Sequence, residues 1–410
     1  MSTGDVSMRK KATDRIDILI VSPDLLESYS QRGGGIEKND LQIARTLSPD
    51  YYVTIIGPCH CKDEVIKSDI ENVTFQIVNF KAMGEYPLVN KKDQFWNFMR
   101  VLLYCIPLTD ELLNIIMRHK SIILIVHNGF PGLCASILGR LSGRKILYSE
   151  GNLTPWTKTN FKPRKIRPMS EMMRIINLNT GKIIAALSIR IRVQSELIEE
   201  GMIEQGIDRG KISIIPIGIS PRSLCLKSNT PRNADGFGLH VGFIGRLCLE
   251  KNVDFLCDII EINFHEEGDI KFIILGDGPL KSRIKDLPNV DFRGWINESS
   301  LVQELMDFDL VICTQMDLGI AEIESLARGK IIIAGKVGNI VKILTDGENG
   351  ALCNLEPRAF IRTIRMIDQN PEMKNRISVN AFKLSKEIYD QEVVDSAWRK
   401  LLDEMTGESS

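Results

Sequence analysis

Short, mostly apolar runs of four to six residues recur along the whole chain, each cut off by Gly, Pro, Ser or another polar residue, and they constrain the fold more than any other feature. Ile16 to Val21 stops at Ser22-Pro23, Ile122 to Val126 at His127-Asn128-Gly129, Leu239 to Ile244 at Gly245, and Phe272 to Leu275 at Gly276. Asp309 to Cys313 and Ile331 to Ala334 repeat the theme. A strand covered by helices on both faces reads as such a run, without polar alternation. Between the runs lie helical patterns, among them Ile36 to Leu47, Phe95 to Cys105, Glu111 to Arg118 and Val253 to Ile260. This β-α alternation predicts doubly wound parallel sheets of the α/β class.

At 410 residues the chain exceeds what one hydrophobic core usually supports, so two domains are expected. Ser220 to Phe237, rich in Pro, Ser, Asn and Gly, marks the linker. The predicted organisation is a disordered polar tail over 1–15, a Rossmann-like domain over 16–219, the linker over 220–237 and a second Rossmann-like domain over 238–385. A C-terminal helix and tail occupy 386–410, with a crossing back to the first domain left open. A formal net charge of -1 gives no global attraction to nucleic acid, and none is expected as a partner. Nine cysteines, most of them single in apolar runs (Cys105, Cys134, Cys257, Cys313, Cys353), point to reduced thiols and a cytoplasmic location. Cys59-His60-Cys61 lacks a second pair at zinc-site spacing. No stretch reaches the roughly 18 apolar residues of a membrane span.

The run Leu239 to Ile244 carries the most chemistry. It stops at Gly245, and Arg246 and Lys251 follow five residues apart, which puts two cations at the carboxyl edge of a sheet, where open α/β folds bind ligands. They read as a phosphate-binding pair, or as ordinary surface residues. Gly33-Gly34-Gly35 opens a helix, and a glycine cluster there lets backbone N–H groups approach an anion. Lys158, Lys162, Arg164, Lys165, Arg167 and Arg174, with Trp156, Phe161 and Met172 among them, form a basic stretch suited to an anionic membrane surface, to a phosphorylated acceptor, or to plain solvation.

Five features in order make the second half resemble the donor domain of the large retaining glycosyltransferase family of GT-B fold usually called family 4. They are Gly245-Arg246-Leu247 with Glu250-Lys251-Asn252, Leu275-Gly276-Asp277-Gly278-Pro279, Val290-Asp291-Phe292 with Gly294, Gly319 with Glu324-Ser325-Leu326-Ala327-Arg328-Gly329, and Asp346-Gly347 to Gly350. The first half is more weakly similar, through its glycine loop and the residues Ile212 to Ser220 leading into the linker. The resemblance implies two Rossmann-like domains facing a central cleft. It also implies a nucleotide sugar as donor substrate, no further cofactor, and sugar transfer to an acceptor hydroxyl with retention. Arg246 and Lys251 would hold the diphosphate, with Gly34, Gly35 and Gly245 near it. Glu324 would bind the ribose, Gly319, Ile320 and Ala321 would offer backbone N–H groups, and Gly294 and Trp295 would lie by the base. With no Asp-x-Asp motif at a strand end, no metal is expected.

The chain also departs from that pattern. Eight residues before Glu324, where the family carries a second glutamate, stands Met316, with Asp317 beside it as a substitute. After the strand ending at Tyr148, where relatives often carry a histidine, the chain reads Ser149-Glu150-Gly151-Asn152, so Glu150 or His127 would have to take that place. The alternatives are a non-catalytic sugar-nucleotide binder or scaffold, and a sugar-nucleotide epimerase. The acceptor is expected to be lipid-linked or phosphorylated, met at the inner face of a membrane.

Overall fold

The computed structural model describes residues 17–23, 35–59, 68–79, 94–119, 122–153, 155–157, 168–219, 238–266 and 268–407. Gly33, Gly34, His60, Cys61, Lys158 to Arg167 and the linker over 220–237 lie outside them. The chain forms two compact units, residues 1–216 with 395–410, and residues 217–394.

The first unit is built on seven strands, β1 (Ile18–Val21), β2 (Val53–Cys59), β3 (Val73–Asn79), β4 (Ile123–Val126), β5 (Lys145–Glu150), β6 (Arg190–Val193) and β7 (Ile212–Ile214). All pair in parallel, in the order β3-β2-β1-β4-β5-β6-β7. The second unit repeats this with β8 (Leu239–Ile244), β9 (Ile270–Leu275), β10 (Val290–Gly294), β11 (Leu310–Cys313), β12 (Ile331–Gly335) and β13 (Ala351–Cys353). Their order is β10-β9-β8-β11-β12-β13, again parallel. In both sheets the chain runs outward in one direction from the first strand, then returns and runs outward in the other. The first and fourth strands of each sheet are therefore neighbours whose following segments part company, which opens a crevice at their carboxyl ends.

The apolar runs follow from burial on both faces. Leu310 and Ile312 point into one core with the helices Val253–Glu266 and Pro357–Asp368, while Val311 and Cys313 point into another with Leu301, Leu326 and Ala381. Successive side chains of a strand face opposite sides, so each must be apolar when both sides are covered.

One region differs from the sequence reading. Phe95 to Cys105 and Glu111 to Arg118 are not two helices but parts of a single one, Gln94–Arg118, with Pro107 inside it. Proline removes one helical hydrogen bond and strains the preceding turn. The apolar face nevertheless continues through it, with Tyr104, Leu108, Leu112, Ile115 and Ile116 all buried in the first unit's core. That burial outweighs the local loss.

The last helix, Gln391–Thr406, lies within the first unit from Asp395 onward. Trp398, Leu401, Leu402 and Met405 are buried, Thr46 Oγ1 donates to Asp395 at 2.7 Å, and Lys145 Nζ donates to the Met405 carbonyl at 2.7 Å. Glu404 pairs with Arg190 at 2.8 Å and Arg399 with Asp50 at 3.2 Å. Emptying the Trp398 site leaves a large cavity, so Trp398→Ala is expected to destabilise the first unit by about 3–5 kcal/mol, read as a lower urea midpoint.

Candidate functional site

Each unit carries a polar cluster at the crevice beside its first and fourth strands. In the second unit, Gly245 ends β8 with its N–H on the Leu275 carbonyl. The loop that follows presses backbone to backbone on the loop after β9. A Cβ on Gly276 would sit 1.9 Å from the Gly245 carbonyl oxygen, and one on Gly278 would sit 2.5 Å from that of Leu247. This contact is why the Leu-Gly-Asp-Gly pattern needs its glycines, and it fixes the turn that carries Arg246 and Lys251.

The two cations are not equivalent. Arg246 is 68% exposed in its side chain and pairs with the equally exposed Glu250 at 2.7 Å. Lys251 is 19% exposed, with its stem folded over Gly245, and its ammonium stands 3.4 Å from Glu322. Thr314, just after β11, donates its hydroxyl to the Lys251 carbonyl and so ties the two loops together. Gln315 donates to the same Glu322 oxygen at 3.3 Å.

Gly319 precedes the helix Ile320–Leu326, which holds Ile320, Ala321, Glu322 and Glu324, the two glutamates both buried. Asp317 is taken up locally. Its Oδ1 accepts from the Leu318 N–H and from Asn339 Nδ2, both at 2.8 Å. The Met316 carbonyl accepts from the Asn339 N–H at 2.8 Å. Gly294 has φ +71°, its carbonyl accepts from Gly276, and Trp295 beside it is 47% exposed. Arg293 is held by Asp291, Glu304 and Asp307.

In the first unit Gly35 begins the helix Gly35–Leu47, whose inner face presents Asn39 and Asp40 to the ends of β4 and β6. His127 follows β4, its Nδ1 on the Ser149 carbonyl at 3.0 Å and its Nε2 2.6 Å from Asp40 Oδ1. Burial disfavours the imidazolium. The Asp40 carboxylate, the bonds to Asp40 and Ser149 and the field of Glu150 together outweigh it, so the pKa of His127 is raised.

Glu150 is buried and fully engaged. Oε2 accepts from the Tyr148 hydroxyl at 2.5 Å, the Trp156 indole at 2.8 Å and Asn128 at 3.0 Å, and Oε1 accepts from the Asn152 N–H at 2.9 Å. It braces the loop after β5. Arg192, at the end of β6, is also buried, and burial pushes its pKa down to about 9 against the opposing field of Asp40. It donates to the Ile215 carbonyl at 2.6 Å and to Asn39 at 3.1 Å, and it stacks over Trp398 at 5.6 Å.

The structure thus brings Lys251, Gly245 and Gly319 together, and places His127 and Glu150 in one cluster through Asn128 and Ser149. Asp40, Arg192, Gln315 and Glu322 belong to these clusters and were not singled out from the sequence. Asp40 had a legible signal, since it falls on the apolar face with Ile43, Ala44 and Leu47.

Residues 238–370 match the profile of the family described as Glycosyl transferases group 1. That match falls within the second unit and spans about a third of the chain. The chain is 30% identical over 139 residues to a GDP-mannose-dependent alpha-(1-6)-phosphatidylinositol dimannoside mannosyltransferase of Mycobacterium tuberculosis, a match covering 32% of this chain and 36% of that protein's length. It is 24% identical over 379 residues to an uncharacterized glycosyltransferase of Methanocaldococcus jannaschii, covering 89% of this chain and 99% of the relative. The structure superposes on Anabaena HepE in complex with UDP-glucose with a TM-score of 0.69 at 16% identity, over 95% of this chain and 100% of that one. The fold is accordingly the GT-B architecture of two parallel α/β units.

Asp40→Asn is expected to lower the pKa of His127, seen directly in the imidazole titration by NMR. Because the folded pKa is raised, the stability from this pair is complete below the unfolded value of about 6.5 and is lost as pH rises through the folded pKa. The stability gap between wild type and D40N should therefore narrow as pH rises above about 6.5, as measured by urea unfolding.

Proposed function

We propose that the protein is a retaining, metal-independent glycosyltransferase that moves a sugar from a nucleotide-sugar donor to an acceptor hydroxyl. The observation that carries this reading is Lys251, a largely buried cation held at the carboxyl end of β8 where that strand meets β11. A cation in that crevice suits a diphosphate, and it would stabilise the charge that develops as the nucleoside diphosphate departs. Glu324, buried in the next helix, is the carboxylate offered to the ribose, and Gly294 with Trp295 the platform by the base. Arg246 lies further out and contributes through its long side chain.

The donor class agrees with a relative named as GDP-mannose-dependent and with a fold neighbour holding UDP-glucose. A lipid-linked or phosphorylated acceptor agrees with relatives named for phosphatidylinositol dimannoside and monoglucosyldiacylglycerol. No helix among the described residues is long and apolar enough to cross a membrane, and a lipid acceptor would be met at a membrane surface. The basic stretch from Lys158 to Arg174 is the proposed contact. His127, held by Asp40 with a raised pKa, supplies a positive group in the acceptor-binding unit, while Glu150 orders the loop beside it.

A second reading, a sugar-nucleotide binder without turnover, is favoured by one observation: Met316 stands where a second carboxylate is expected, and Asp317 is engaged with Asn339. Radiolabelled UDP-glucose and GDP-mannose separate the two. Slow release of free nucleoside diphosphate supports transferase chemistry, and binding without release supports the second reading. Lys251→Ala is expected to weaken UDP or GDP binding by about 10- to 100-fold in calorimetry, the loss of one charge-assisted bond. Arg246→Ala should weaken it less, because an exposed guanidinium is screened by water. Unchanged affinity in Lys251→Ala would remove the lysine from the site.

A further inference from the structure

Glu322 is a buried carboxylate, 2% exposed in its side chain, on the helix that follows Gly319. Its Oε1 takes both local donors, Lys251 Nζ at 3.4 Å and Gln315 Nε2 at 3.3 Å. Its Oε2 has no hydrogen-bond partner among the described residues. A buried acceptor left empty is costly, and such a group calls for a donor that arrives from outside.

The unpartnered oxygen is buried against the backbone of Gly319. A methyl group placed on Gly319 would lie 2.6 Å from Glu322 Oε2, 3.0 Å from Lys251 Nζ and 3.3 Å from Gln315 Nε2. Three polar side-chain ends thus crowd over Gly319, closer than any side chain at that position would allow. Its φ is -85°, so space rather than backbone conformation explains the glycine.

Resting on the donor-site reading above, we propose that Glu322 accepts a hydrogen bond from a hydroxyl of the transferred sugar and is a specificity-determining residue. An ionised carboxylate is an acceptor only, so phosphate oxygens cannot satisfy it and would be repelled by it. The group bonded to the far side of a diphosphate held by Lys251 is the sugar, and its hydroxyls are donors. Glu322 thereby supplies from one turn of helix the carboxylate that Met316 lacks. Gln315, with an amide N–H over the same glycine, would order a neighbouring hydroxyl.

The test compares UDP with UDP-glucose and GDP with GDP-mannose by isothermal calorimetry on wild type, Glu322→Ala and Glu322→Gln. In E322A the nucleotide-sugar affinity is expected to fall about 10-fold or more, while diphosphate affinity holds or rises because Lys251 has lost its internal partner. E322Q keeps the side-chain volume and the Gln315 contact, so it shows the same direction with a smaller loss and serves if E322A does not fold. Equal losses for diphosphate and nucleotide sugar overturn the assignment, since Glu322 would then act on the ribose or merely hold Lys251. No change in either ligand overturns it as well. Should wild type bind neither UDP nor GDP, the donor-site reading itself falls, a result distinct from the other two.

Discussion

Parallel pairing between strands that are not consecutive in the chain, β1 with β4 and β8 with β11, is the constraint from which the rest of the structure follows. Each such pair needs a long crossover on either side, and right-handed crossovers send the two helices to opposite faces. The carboxyl ends of the central strands are then left without a covering helix. Groups that would be costly anywhere else in the core find room there, and the chain has filled both openings with charge. Asp40 and His127 meet at one, Lys251 and Glu322 at the other.

These two buried pairs are built differently. His127 is clamped at both ring nitrogens, and Arg192 nearby spends its donors on the Ile215 carbonyl and on Asn39. Glu150 has both oxygens occupied. The cluster in the first unit is thus linked largely from within, with Asn128 Oδ1 left without a hydrogen-bond partner among the described residues. Lys251 and Glu322 are half answered, at 3.4 Å and with one carboxylate oxygen empty.

The strands were legible because burial on two faces leaves a simple trace, an apolar run without alternation, and β1, β4, β11 and β12 each have one. The glycine patterns were legible for a related reason, since Gly276 and Gly278 sit where backbones touch. The two helical patterns ending at Cys105 and starting at Glu111 are one helix, because the continuous buried face from Tyr104 to Ile116 carries it through Pro107. Arg246 and Lys251 looked alike at five residues' spacing, but the Gly245 turn folds one inward while Glu250 holds the other out. Arg192 and Glu322 were hidden because Trp398 and Lys251 lie far along the chain, and no local pattern announces a pairing that only the fold creates.

The Gln391–Thr406 helix has a consequence for how the molecule comes to be made. Asp395 reaches Thr46 across 349 positions, and Trp398 covers Arg192, so the first unit lacks part of its own interior until the ribosome has finished the second. Domains generally fold in the order of their synthesis. Here the unit begun first is the one closed last, and until then its half-buried arginine waits in water for an indole roughly one whole domain downstream.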